Sequence, residues 1–214
     1  MKRKIYIVLW LIVAVVLASC NTTKFVPQDK YLLNKAMVKC VDNKSVSGAE
    51  LQKYLRQKQN TEIFGFWKLQ LHIYDTAPLD TTTKSNRTLA RNAKKMGEAP
   101  VIYDEQMTQA SMQQLRQQMN NMGYFHAEVD TIKKIKNRKV DLTYLITAHQ
   151  PYKIRRYEVD FPASETLRMI ATDEQRCKVH SGDLFSTETL DDERARIATS
   201  LRNMGYFYFE KSML

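Results

Sequence analysis

Asn121-Met122-Gly123-Tyr124-Phe125 returns as Asn203-Met204-Gly205-Tyr206-Phe207, at an offset of 203 − 121 = 82 residues. The flanks repeat with it. Leu115 and Met119 fall on Ile197 and Leu201, and with Met122 and Met204 they form apolar stripes at i, i+4, i+7, the spacing of a helix face. Asp104 and Ser186 occupy matching positions at the head of each stripe, and both residue types cap helix N-termini well. Gly123 and Gly205 stand where each helix should stop, because glycine takes positive φ at little cost. Each copy therefore reads as cap, helix, glycine stop, then Tyr-Phe into a strand.

Working outward, Phe125 to Ile135 reads as one strand with Phe125, Ala127, Val129 and Thr131 on one face. Val140, Leu142, Tyr144 and Ile146 alternate along a second strand, and Lys136-Asn137-Arg138-Lys139 suits the hairpin turn between them. Upstream, Leu33 to Val41 reads as a strand. Ser47 opens a helix with Glu50 three residues on, a capping-box spacing, and that helix is expected to reach about Lys58. After Pro151, Tyr152 to Phe161 reads as a strand and Ser164 to about Arg176 as a helix. The first module is β, α, an extra segment, α, β, β. The second begins in the same order and stops at Leu214 without its last strand, and Tyr206 to Leu214 is expected to be a strand with an open edge. Residues 60–96 are extra to a minimal module. Trp67, Leu69, Leu71 and Ile73 alternate as a strand would, yet Trp67, Leu71 and Tyr74 also keep helical spacing, so the period does not decide. Asp80 to Asn86 reads as a loop. The aromatics of this segment suit either a partner surface or packing on the module's own core.

Two tandem β-α-α-β-β units with a Gly-Tyr-Phe step from second helix to second strand resemble POTRA domains. Gly182-Asp183-Leu184-Phe185-Ser186 resembles the step between the two helices of such a domain, and Gly97-Glu98-Ala99-Pro100 resembles it in the first module. The whole arrangement is similar to the periplasmic part of the BamA/TamA outer-membrane assembly family, and in its details to the lipoprotein (TamL-like) variant of Bacteroidetes, on Phe64-Gly65-Phe66-Trp67 and Gly97-Glu98-Ala99-Pro100. The resemblance implies an α+β fold of tandem POTRA-like modules, residues 31–152 with the insertion at about 60–96 and residues 153–214 incomplete. It also implies unfolded outer-membrane protein clients, bound by β-augmentation, and an inner-membrane partner. The edge it favours is the second strand, at Ala127, Val129, Thr131 and Lys133. Family members continue into a β-barrel, which this chain lacks, so the chain reads as a fragment or a truncated frame.

The N-terminus carries its own signal. Lys2, Arg3 and Lys4 precede an uncharged apolar run from Ile5 to Ala18, which Leu17-Ala18-Ser19-Cys20 closes. A charged start, a short apolar core and a small-residue exit describe a secretory signal over residues 1–19. Fourteen apolar residues fall short of the roughly 20 that a spanning helix needs. Leu-Ala-Ser-Cys resembles the bacterial lipobox, which implies acylation of Cys20 and a lipid anchor. An ordinary signal peptide or an uncleaved anchor is the alternative. Residues 20–30 then form a linker. Surface-exported lipoproteins of the bacterial group that the chain resembles tend to carry an acidic cluster after this cysteine; none follows Cys20, so the resemblance implies a periplasm-facing position on the outer membrane.

The net charge of +10 becomes +7 once Lys2, Arg3 and Lys4 are removed. A basic exported chain meets no nucleic acid, so its charge serves either to meet anionic lipid or acidic proteins or merely to keep the surface soluble. Cys40 lies in an apolar alternation and reads as a small buried hydrophobe; an oxidising periplasm permits a disulfide with Cys177, but the two lie far apart in sequence, in different modules. His72, His126, His149 and His180 are scattered, with no metal spacing. No nucleophile motif, phosphate loop or dinucleotide fingerprint occurs. Asp191-Asp192-Glu193 is expected on a solvated helix face, and Tyr124-Phe125 and Tyr206-Phe207 are expected to face the core or start strands. No residue set supports catalysis, a cofactor or a metal. The reading is a non-enzymatic scaffold in outer-membrane protein assembly; the alternative is an envelope lipoprotein that binds a partner without a role in barrel assembly.

Overall fold

The computed structural model describes residues 22–65, 67–158, 165, 168–169 and 175–214. In chain order these hold β1 (Leu32–Cys40), α1 (Gly48–Leu51), a 3-10 turn (Gln52–Tyr54), α2 (Leu69–Asp75), α3 (Lys84–Met96), α4 (Glu105–Asn121), β2 (Glu128–Lys136), β3 (Lys139–Thr147), α5 (Thr187–Asn203) and a last 3-10 turn (Lys211–Met213). The fold is α+β, with one three-stranded sheet in the order β1-β3-β2. Leu32 N–H donates to the Arg138 carbonyl and Val41 N–H to the Ile146 carbonyl. Both partners advance together, so β1 and β3 run parallel, while β2 and β3 form an antiparallel hairpin. Asn137 and Arg138 turn that hairpin with φ of 49° and 58°. Two positive φ values in a two-residue loop match the right-handed twist of the strands it joins.

The helix ends follow local chemistry. Asp104 Oδ1 accepts from the N–H groups of Gln106 and Met107, and Ser186 Oγ accepts from Thr189 N–H. After α4, Tyr124 N–H bonds the Met119 carbonyl and Gly123 N–H the Asn120 carbonyl; after α5, Tyr206 N–H bonds Leu201 and Gly205 N–H bonds Arg202. This is the same Schellman closure 82 residues apart. Ser47 Oγ accepts from Glu50 N–H as the capping spacing predicts, but α1 ends at Leu51 and gives way to the 3-10 turn, short of Lys58.

The chain divides into two compact units. The first holds Met1–Val38, Leu55–Ala110 and Thr131–Tyr144. Its core includes Leu32, Leu33, Leu71, Val140, Leu142 and Tyr144. The undecided segment resolves here into helices: α2 buries Leu71 completely, and α3 begins at Lys84, inside the stretch expected as a loop. An isolated short run can satisfy both periods; the neighbours that cover Leu71 select one. The residues after the lipobox pack on this helix pair. Lys24 Nζ donates to the Ala77 carbonyl at 2.6 Å, and the Phe25 ring meets Tyr74 edge-on at 5.2 Å against a small cluster of Ala77, Ala90 and Ala93. The expected linker is therefore partly a packed segment.

One carboxyl in this unit is strained by burial. Asp75, at the end of α2, has both oxygens buried without a hydrogen-bond partner, and burial pushes it from the ordinary 3.8 up to about 6, against the pull of Lys24 and Lys139. Below pH ~4 both the folded and unfolded states are protonated and the group costs nothing. Between about pH 4 and 6 the unfolded state releases its proton first, so stability falls as pH rises, and the penalty is complete above that window. Because the residue is only half-buried as a whole, solvent screens part of this cost, and Asp75→Asn is expected to be more stable than the parent by about 1–2 kcal/mol at neutral pH, with the advantage fading toward pH 4. Urea unfolding of both proteins across that range measures it.

The second unit holds Lys39–Tyr54, Ser111–Asp130 and Leu145–Leu214. Its core includes Leu115, Met119, Tyr124, Val129, Ile146, Ile197 and Leu201. Three expectations are corrected here. Tyr152 to Phe161 contributes, among its described residues, one bridge from Lys153 to Leu184 and no strand. Tyr206 to Leu214 forms no strand but ends in a 3-10 turn, held by Arg194 donating to the Leu214 carbonyl and by a Lys211–Asp191 ion pair; a strand needs a bordering strand, and the described residues supply none. Tyr206 and Phe207 are 45% and 76% exposed, not core-facing. The helix expected over Ser164 to Arg176 lies largely outside the described residues. Cys40 and Cys177 are both free thiols, and Cys40 is half-buried beside Asp42 instead of enclosed in the core.

Candidate functional site

The strand order leaves β2 at one edge of the sheet. In a hairpin with a two-residue loop, the residues flanking the loop form a hydrogen-bonded pair, and the bonding alternates from there. Lys136 and Lys139 flank this loop, so Lys134, Ile132 and Asp130 direct their main-chain groups to β3. Val129, Thr131, Lys133 and Ile135 direct theirs outward. The outward carbonyl of Val129 confirms the alternation: Arg116 reaches across and donates to it at 3.2 Å.

The four residues expected at this edge are placed differently. Ala127 precedes β2 and sits in the turn after α4, its N–H bonded to the Tyr124 carbonyl, so the strand starts three residues later than the sequence pattern indicates. Val129 lies on the edge, but its side chain is 1% exposed and its carbonyl is taken by Arg116. Thr131 and Lys133 present main chain outward. The Lys133 ammonium turns back to Glu105 at 2.6 Å and lies 4.7 Å over the Tyr103 ring. The hydrogen bond from Lys133 holds Glu105 below its usual carboxylate range. The accessible edge thus runs over Thr131, Lys133 and Ile135. Ile135 was not in the expected set. The two-residue loop signalled it, because loop length alone fixes which main-chain groups face out.

The first Gly-Tyr-Phe step does something else. Tyr152 N–H donates to the Gly123 carbonyl and Phe185 N–H to the Tyr152 carbonyl, both at 2.9 Å. Phe125 packs 5.2 Å from both the Tyr152 and Phe185 rings, and His126 Nε2 lies 3.0 Å from the Tyr152 hydroxyl. Inside the second unit, the end of α4 is thereby joined to the turn that opens α5. Tyr124 is buried as expected and accepts from Asn43, while Phe125 serves the joint and not the core.

The sequence profile of the POTRA family, described as surface antigen variable number repeat, matches residues 36–148. That is more than half of the chain, and it takes in the second half of β1 and the whole β2-β3 hairpin. The chain belongs to the POTRA family. A crystal structure of Haemophilus influenzae BamA POTRA3-5 matches with a TM-score of 0.27 and 12% identity, covering 85% of this chain and 89% of that one. No curated protein matches. Among the described residues of this POTRA protein no cluster of three metal-ligating side chains occurs, and no helix is long and apolar enough to cross a membrane. Cys20 lies outside the described residues.

Proposed function

We propose that this chain is the periplasmic POTRA part of an outer-membrane protein translocation and assembly factor. It is a non-enzymatic scaffold that binds unfolded client strands by β-augmentation. The observation that carries this reading is the β2 edge, with the main-chain groups of Thr131, Lys133 and Ile135 turned away from the sheet. Main-chain pairing tolerates many client sequences, which suits a scaffold for diverse barrel proteins. The lipobox supports a chain cleaved before Cys20 and held by its acyl groups on the periplasmic face of the outer membrane. Residues 31–152 and 153–214 act as tandem modules, of the Bacteroidetes lipoprotein type, and an inner-membrane partner completes the system.

The register supplies a selective test. Proline at Thr131 removes an outward N–H and leaves the β3 ladder intact, whereas proline at Ile132 breaks a ladder bond. Thr131→Pro is expected to stay folded by circular dichroism and to lose most crosslinking to nascent outer-membrane barrel proteins, while Ile132→Pro unfolds. Full crosslinking by a folded Thr131→Pro protein sinks the β-augmentation reading.

A further inference from the structure

Helix α3 carries Lys84, Arg87, Arg91, Lys94 and Lys95, all exposed, with no acidic residue between Thr81 and Gly97. Among the described residues no ion pair joins any of the five to a carboxylate. Their spacing of three, four, three and one residues places them on one side of the helix. The inner side is made of Ala90 and Ala93, which are buried. On the remaining flank Leu89 and Met96 are 53% and 70% exposed, and Leu79, ahead of the helix, is exposed as well. A helix with a basic arc free of carboxylates, set opposite a small-residue inner face, has the chemistry of a surface that lies on anionic headgroups.

A second observation fixes where that helix sits. The chain just after the lipobox is packed on α2 and α3: Thr22 and Thr23 are buried, Lys24 bonds the carbonyls of Asp75 and Ala77, and Lys94 stands 5.3 Å over the Phe25 ring. Two residues of extended chain span at most ~7 Å. An acyl group on Cys20 therefore keeps this helix pair within headgroup reach. This step rests on the proposed lipid anchor; the charge argument does not.

We propose that α3 is a membrane-docking surface that binds anionic phospholipid headgroups. It turns the lipid tether into an oriented contact of the first unit with the bilayer. The contact is electrostatic, so salt screens it.

The test uses residues 20–214 with Cys20→Ser, so that binding is read without any acyl chain. The protein is sedimented with phosphatidylcholine vesicles holding about 30 mol% phosphatidylglycerol and with pure phosphatidylcholine vesicles. Binding is expected to the anionic vesicles alone, and to be lost between about 50 mM and 0.5 M salt. The triple variant R87Q/R91Q/K95Q is expected to bind about 100-fold more weakly at low salt, given the contribution of each basic residue near an anionic surface. Its circular dichroism should be unchanged, since none of the three side chains is buried. A second triple variant, K39Q/K134Q/K136Q, removes the same charge elsewhere and is expected to bind nearly as well as the parent. Absence of binding by the parent, or equal weakening in both triple variants, overturns the proposal in favour of diffuse surface charge or an acidic protein partner. Failure of the lipid anchor itself would show separately, as an unmodified Cys20 in mass spectrometry of the native chain.

Discussion

Gly123→Ala is expected to destabilise the protein by about 2–4 kcal/mol, and Gly205→Ala, its counterpart 82 residues on, by only about 1 kcal/mol. Both glycines close a helix with positive φ, 86° at Gly123 and 102° at Gly205, so a Cβ costs both positions the same left-handed strain. The surroundings differ. A Cβ on Gly123 would lie 2.7 Å from the Phe185 carbonyl oxygen and 3.2 Å from the Phe185 Cβ, while a Cβ on Gly205 meets nothing within 4 Å. The carbonyl belongs to backbone that is itself held by the Phe185-to-Tyr152 and Tyr152-to-Gly123 hydrogen bonds, and it cannot step aside without breaking them. The difference between the two variants is thus the close approach alone, the overpacking part of the total. Chemical denaturation of both variants at one pH measures it. Equal losses would mean that the Gly123–Phe185 contact contributes nothing to the stability of the second unit.

Glu193→Ala is expected to cost about 3–5 kcal/mol, the range for removing one partner of a buried ion pair. The sequence placed Glu193 on a solvated face with Asp191 and Asp192. The structure corrects this for Glu193 alone, which is 1% exposed. Its carboxylate accepts from Arg196 Nε at 2.9 Å and Nη2 at 2.6 Å, a two-pronged pairing, and from the Lys178 N–H at 2.9 Å. It clamps the loop that carries buried Val179 onto α5. Burial raises the Glu193 carboxyl, but the Arg196 and Lys178 hydrogen bonds outweigh it and leave the group below its usual range. Burial, with the Glu193 charge as a second cause, pushes the nearby Tyr157 hydroxyl up to about 12. Alanine leaves the Arg196 guanidinium and the Lys178 N–H without that acceptor. The contribution is present above the ordinary carboxyl pKa and is lost as pH falls through the depressed folded value, so the gap between parent and variant should narrow on acidification. Asp191 and Asp192 pair with Lys211 and Lys178 in solvent, and alanine at either is expected to change stability far less than Glu193→Ala does. A loss at Glu193 as small as theirs would place its carboxylate in water.

Much of the fold was legible because it is written in short-range chemistry. The caps at Asp104 and Ser186, the glycine stops, the alternation of β3 and the turn at Asn137-Arg138 each depend on a few neighbouring residues, and each stands as the pattern indicated. The second strand was legible as a strand and displaced in detail, while its place at the edge came from the family resemblance and not from the residues. Phe125 and Ala127 continue an apolar alternation, but the turn after Gly123 takes them out of the strand and turns Phe125 toward Tyr152 and Phe185. Trp67 to Tyr74 fits two periods; Leu69 to Tyr74 joins helix α2, which buries Leu71, while Trp67 stays outside it in a bridge to Ile63.

The sequence by itself determined the caps and glycine stops of α4 and α5, the apolar face of β3, and the 82-residue repeat of cap, helix and stop, because capping, glycine φ and residue period act within a turn or two of chain. Tertiary structure alone decided which identical motif is used. Gly123-Tyr124-Phe125 meets Tyr152 and Phe185, and Gly205-Tyr206-Phe207, the same letters, stays exposed. It also decided that Glu193 is buried while its two acidic neighbours are not. Such outcomes depend on what lies opposite a residue in space, and local sequence carries no record of that partner.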